Sequence, residues 1–151
     1  MDDWKEDLAI FFRQLDRDFG YMKQHAREFL DYTVADAFTE LKTELEKYER
    51  LVQVLPSDTG DYLIVLHNNE EEFSYRIEAE VFPKHVRVYA IAGQGNNSES
   101  HELTSEREEY TGLHHIPKDV IIEDFLKRYR SYISRQASRN WRYSSEENKN
   151  E

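Results

Sequence analysis

The 151-residue chain contains no cysteine, only three prolines and five glycines, and no apolar run approaching the ~20 residues of a membrane span. Without cysteine there is no disulfide framework, no thiolate metal site and no catalytic thiol, which fits a reducing compartment. The first residues, Met1, Asp2, Asp3, Trp4, Lys5, Glu6 and Asp7, lack the basic and apolar regions of a secretory signal, so a cytoplasmic location and no membrane association are expected. Positive charge is also scarce: 20 Lys and Arg stand against 31 Asp and Glu, a formal net charge of −11. Such a body repels nucleic acid over most of its surface and suits a basic partner.

What the chain does have is large apolar side chains. Ten Tyr, eight Phe and 38% hydrophobic residues are enough to fold one domain of the commonest size. Leu8, Phe11 or Phe12, Leu15, Phe19, Met22, Ala26 and Phe29 recur in steps of three and four, predicting a helix over 3–31 with a single apolar stripe. A second stripe, Val34, Phe38, Leu41, Leu45, Tyr48 and Val52, predicts a helix over 34–53, with Thr33 and Asp36 spaced as a capping box. A helical pair broken at Asp31–Thr33 is expected. One long bent helix is the alternative, because Leu30, Val34, Phe38 and Leu41 keep helical spacing across the junction.

The turn cluster Pro56, Ser57, Asp58, Thr59 and Gly60 marks a change of period from 3.6 to 2. Tyr62–Leu66, Phe73–Phe82 and His85–Ala92 then read as strands of an antiparallel meander, and His101–Thr104 as a fourth, edge strand. Gly93–Ser100 reads as a flexible connection. Pro117 opens a last helix with a stripe at Ile121 or Ile122, Phe125, Tyr129 and Ile133. The expected fold is therefore α+β, a two-layer sandwich of helices on a three- to four-stranded sheet. Residues 1–143 form a single domain and 144–151 a disordered acidic tail. The small size, low pI and helix–meander–helix order resemble bacterial secretion chaperones and small immunity or adaptor proteins, at the level of architecture alone.

No motif commits the chain to chemistry. His101 and Glu102 open like a zincin motif, but Ser105 stands where the second His is required. His114 and His115 are loop neighbours without ligand spacing, and Glu70–Glu72 and Glu106, Glu108 and Glu109 read as solvated loop charge. Gly93, Gln94 and Gly95 lack the Lys and the following helix of a phosphate loop. No catalytic residue, metal ligand or cofactor is assigned.

Two surfaces remain. Leu63, Val65, Tyr89 and Ile91 are candidates for an apolar strip on the sheet that binds protein, a homodimer partner included. Residues 117–143 hold seven Lys or Arg against three acids, and Lys127, Arg128, Arg130, Arg135, Arg139 and Arg142 interleave with Tyr129, Tyr132, Trp141 and Tyr143. Arg beside aromatic rings can grip phosphates and bases, although cations also stabilise a helix C-terminus. A non-enzymatic protein-interaction domain of the chaperone, adaptor or immunity kind, acting through an apolar sheet or helix face with an acidic rim, is the leading expectation. A small-molecule-binding protein or enzyme with a pocket between sheet and helices, and a nucleic-acid-associated factor using the basic helix, are the alternatives.

Overall fold

The computed structural model describes residues 3–95, 97–103 and 116–149, with side chains of the last helix described as far as Gln136. Its elements run α1 (Asp3–Glu28), a π-helical turn (Phe29–Val34), α2 (Ala35–Glu46), β1 (Leu51–Pro56), β2 (Gly60–His67), β3 (Glu70–Val81), β4 (Val86–Gln94), β5 (Asn97–Glu102) and α3 (Lys118–Lys149). The fold is α+β, with one long N-terminal helix, a five-stranded antiparallel sheet and a C-terminal helix.

The expected break at Asp31–Thr33 does not occur. Counted at ~100° per residue, the stripe through Phe29 and the stripe from Val34 onward are roughly one residue out of phase. A π turn carries about one extra residue and absorbs that mismatch without ending the helix. Phe29, Leu30 and Val34 in the turn, and Ala37, Phe38, Leu41 and Leu45 beyond it, consequently all reach the core. Thr33 lies inside the π turn and caps nothing, and the residue before α2, Val34, makes no side-chain cap.

The long helix also stops earlier than the predicted residue 53. Lys47 and Tyr48 close its last turn onto Glu44 and Leu45 carbonyls, Glu49 takes φ 64°, and Leu51 begins a strand. Val52 thus belongs to β1, where it is buried and pairs with Val65. Ser57 closes the β1–β2 turn twice, its amide and its hydroxyl both donating to the Gly60 carbonyl.

All five strands pair with their sequence neighbours in the order β1-β2-β3-β4-β5. Asn68 and Asn69, at φ 54° and 66°, supply the two left-handed residues of a tight β2–β3 hairpin. The segment expected as a flexible connection is instead another hairpin, with Gln94 opposite Asn97 and Gly95 at φ 55° in its turn. Gly93 is required there, since a Cβ would stand 2.2 Å from the Asn97 carbonyl oxygen. Five strands therefore replace the expected three or four, the additions being β1 and the full length of β5.

Alternation along the strands places Val52, Leu63, Val65, Phe73, Tyr75, Ile77, Val88, Ala90 and Ala92 in the core. Against them pack the residues of the long helix from Ala26 onward, together with Ile121 and Phe125 of α3. The centre is aromatic: Phe73 meets Phe125, Tyr129 and Tyr132 at centroid distances of 5.4–5.6 Å, and Tyr75 meets Phe38 and Phe125 edge-on.

Candidate interaction surface

The stripe that enters the core at Ala26 and Phe29, each 5% exposed, does not end there. Followed toward the N-terminus it continues through Met22, Phe19, Leu15, Phe12 and Leu8, and no described residue before Ala26 is buried. Trp4, Leu8, Phe11 and Phe12 are 62, 46, 58 and 52% exposed, and all four lie within the same ~100° sector of the helix as the buried end. Residues 3–22 span ~30 Å at 1.5 Å per residue. Contiguous exposed apolar area of this kind on a monomer marks a contact surface.

Charge along α1 is also ordered. Its first turn holds Asp3 and Glu6 and its last turn His25 and Arg27, matching the positive and negative ends of the helix dipole. Arg27 forms an ion pair with Asp31 at 2.7 Å, and its guanidinium reaches the Ser57 carbonyl. Close by, Asp61 is buried at 4% exposure, and that burial pushes its carboxyl up to about 6 against the pull of Arg27.

The four candidates for an apolar strip divide between two sheet faces. Leu63 and Val65 are wholly buried, whereas Tyr89 and Ile91 are half-buried on the opposite face. Side-chain direction alternates along a strand, so the β2 residues that share the face of Tyr89 and Ile91 are Tyr62, Ile64 and Leu66. Ile91 stands across from Arg76, whose guanidinium lies over the Tyr62 ring at 5.0 Å and pairs with Glu78. That cation interrupts the strip. Leu51 and Leu55 continue it on the edge strand β1 at 53 and 49% exposure.

Of the basic candidates, Lys127, Arg128 and Arg135 line a cleft of about 620 Å³ between α3 and the β4–β5 hairpin, with Tyr132, Gln94 and Asn97. Arg130 is exposed and does not line it, and the side chains of Arg139 and Arg142 lie outside the described residues. Arg128 is drawn inward by Asp124 at 3.3 Å. Asp124 also accepts from the Tyr75 hydroxyl at 2.6 Å and bonds His101 Nε2 at 2.9 Å, so three elements meet on one carboxylate. Burial, then the neighbouring Asp124 charge, holds the Tyr75 hydroxyl far above the usual phenol range.

Glu72 gathers a second group: Arg50 at 3.0 Å, the Tyr129 hydroxyl, and His67 at 3.5 Å. Burial alone would raise its pKa, but the hydrogen bonds from Arg50 and Tyr129 outweigh burial and keep it low, while Tyr129 is pushed up to about 12. Both groups tie strands to α3 and act as structural clasps. Among the described residues no three His, Asp or Glu side chains converge as metal ligands do, and no helix is long and apolar enough to cross a membrane. His114, His115, Glu106, Glu108 and Glu109 lie outside the described residues.

Spacing allows a helix face as the binding surface without picking out the N-terminal half of α1, because it does not show where the cover given by the rest of the chain ends. No family model, curated protein or solved structure matches this chain.

Proposed function

We propose that this chain is a non-enzymatic protein-interaction domain of the cytoplasm, of the chaperone, adaptor or immunity kind. In it a two-layer sandwich of helices on one sheet face holds out the N-terminal half of α1 as the binding element. One observation carries the reading: Trp4, Leu8, Phe11 and Phe12 stand about half exposed or more on the same helix face that is buried from Ala26 onward. Exposing such side chains costs free energy in water, roughly 1.5 to 3 kcal/mol for each Leu- or Phe-sized group, which a partner recovers. The surplus of acid elsewhere, −11 over the chain, supplies a polar rim that keeps the free domain dispersed and favours basic surroundings on the partner.

The test is a photo-reactive phenylalanine analogue at Phe12, irradiated in the chain's own host cells, with the same analogue at Tyr21 as the control. Tyr21 is also exposed but lies off the stripe. Covalent adducts to a polypeptide from Phe12 and none from Tyr21 support the reading, and equal or no adducts from both sites remove it.

The cleft between α3 and the β4–β5 hairpin favours a second reading, since its volume falls within the ~300–1,000 Å³ of ligand pockets and three cations line it against one acid, Glu99. An anionic small molecule is the matching ligand class. Binding by calorimetry that is abolished in Lys127→Glu and Arg135→Glu chains tests it.

A further inference from the structure

The geometry points to a second copy of this chain as the occupant of the α1 stripe, the two helices running antiparallel and crossing near Gln14. This rests on the interaction-domain reading above and names its partner.

The spacing comes first. Leu8, Phe12, Leu15, Phe19, Met22, Ala26 and Phe29 keep a strict 4-3 alternation through three heptads. A helix that packs only against its own sheet has no need of a 3.5-residue repeat, whereas two helices wound about each other do. Only the last two members, Ala26 and Phe29, are buried within the chain. Of the five before them, Leu8 and Phe12 are exposed and Leu15, Phe19 and Met22 are only partly covered.

Charge then selects the direction. In a parallel pair the acids Asp3, Glu6 and Asp7 would face their own copies, as would the cations near the other end. With the helices antiparallel and Leu8 level with Phe19 of the second copy, the acidic first turns lie beside Lys23 and the basic last turn. The two helix dipoles also oppose each other. In that register Phe12 meets Leu15, Met22 meets the stem of Lys5, and Trp4 and Phe11 close the flank of the seam. The bodies of the two chains sit at opposite ends, so Ala26 and Phe29 keep their places in their own cores.

The area is sufficient. At roughly 200 Å² for a large aromatic side chain, the exposed parts of Trp4, Leu8, Phe11 and Phe12 offer about 400 Å² per copy. Two copies with their flanking polar stems reach the lower part of the ~1,200–2,000 Å² range of specific interfaces.

Sedimentation equilibrium of the full chain tests the pairing. The expected mass is twice 18.2 kDa at micromolar concentration. Leu8→Asp combined with Phe12→Asp should weaken association by at least about a hundredfold while leaving the far-ultraviolet circular dichroism unchanged, since neither residue is in the core. A wild-type mass of 18.2 kDa throughout, or a double variant that remains dimeric, overturns the inference.

Direction is read by oxidation, because the chain has no native cysteine to interfere. Leu8→Cys chains mixed with Phe19→Cys chains should cross-link to each other and hardly to themselves. Efficient self-linking of Leu8→Cys would report parallel helices and overturn the arrangement. A Phe12 photo-adduct of any other mass, with a monomeric wild type, removes self-pairing and leaves the interaction reading standing. The absence of every adduct removes both.

Discussion

The two halves of the α1 stripe are chemically alike and structurally opposite. Phe29 and Ala26 at one end are sealed against the sheet, while Phe12 and Leu8, two to three heptads earlier on the same face, meet solvent. The difference shows that amphipathic spacing specifies which side of a helix seeks cover, whereas the extent of the neighbouring surface decides how much of that side is covered. The uncovered half is the surface proposed here for a partner.

The largest expected effect breaks this comparison if it fails. Phe29→Ala should destabilise the folded chain by about 3 to 5 kcal/mol in denaturant titrations, and Ile77→Ala and Phe125→Ala by about 2 to 5 kcal/mol. Phe12→Ala, titrated at concentrations too low for association, should cost less than about 0.5 kcal/mol. Similar losses at Phe12 and Phe29 would mean that the outer half of the stripe is covered within the chain.

A smaller effect sits at the boundary between the halves, where Asp61 is buried near Arg27. Its carboxyl has a pKa of about 6 in the fold against about 3.8 when unfolded. Ionised Asp61 therefore weakens the folded state at neutral pH, and stability is regained as pH falls through 6 toward 4, where the folded chain binds the extra proton. Asp61→Asn should accordingly stabilise the chain by about 1 to 2 kcal/mol at pH 7.5, with the advantage shrinking to little by pH 4. An advantage independent of pH would show that the gain comes from packing.

Much of this arrangement was legible in the residues. Phe73, Tyr75, Ile77, Ala79 and Val81 alternate so cleanly that β3 follows from them directly, and the stripe at Ile121 and Phe125 locates the inner face of α3. β1 was hidden because Val52 lies four residues from Tyr48, as in a helix, and two from Val54, as in a strand. The turn at Pro56–Gly60 is flanked by strands on both sides, and only the second has an unambiguous period of two. β5, Asn97–Glu102, contains no large apolar side chain and is held by hairpin geometry, so hydrophobic pattern could not reveal it. Leu63 and Val65 were grouped with Tyr89 and Ile91 because an unbroken apolar run does not show which of its residues face inward. Strand register supplies that, placing Leu63 opposite Tyr75 in the core.

The smallest expected effect sharpens the contrast between the helix and the outer sheet face. Ile91→Asp should leave the mass in light scattering unchanged and lower stability by about 1 kcal/mol, since Ile91 is half-buried beside Arg76. Conversion to a monomer would transfer the interface from α1 to the sheet.

Trp4 reports on the central claim most directly. In a Trp141→Phe chain, its emission should be blue-shifted and shielded from acrylamide at high concentration. On dilution it should become fully accessible, in step with the fall in mass. A Trp4 that stays equally open to quencher at every concentration would contradict the account.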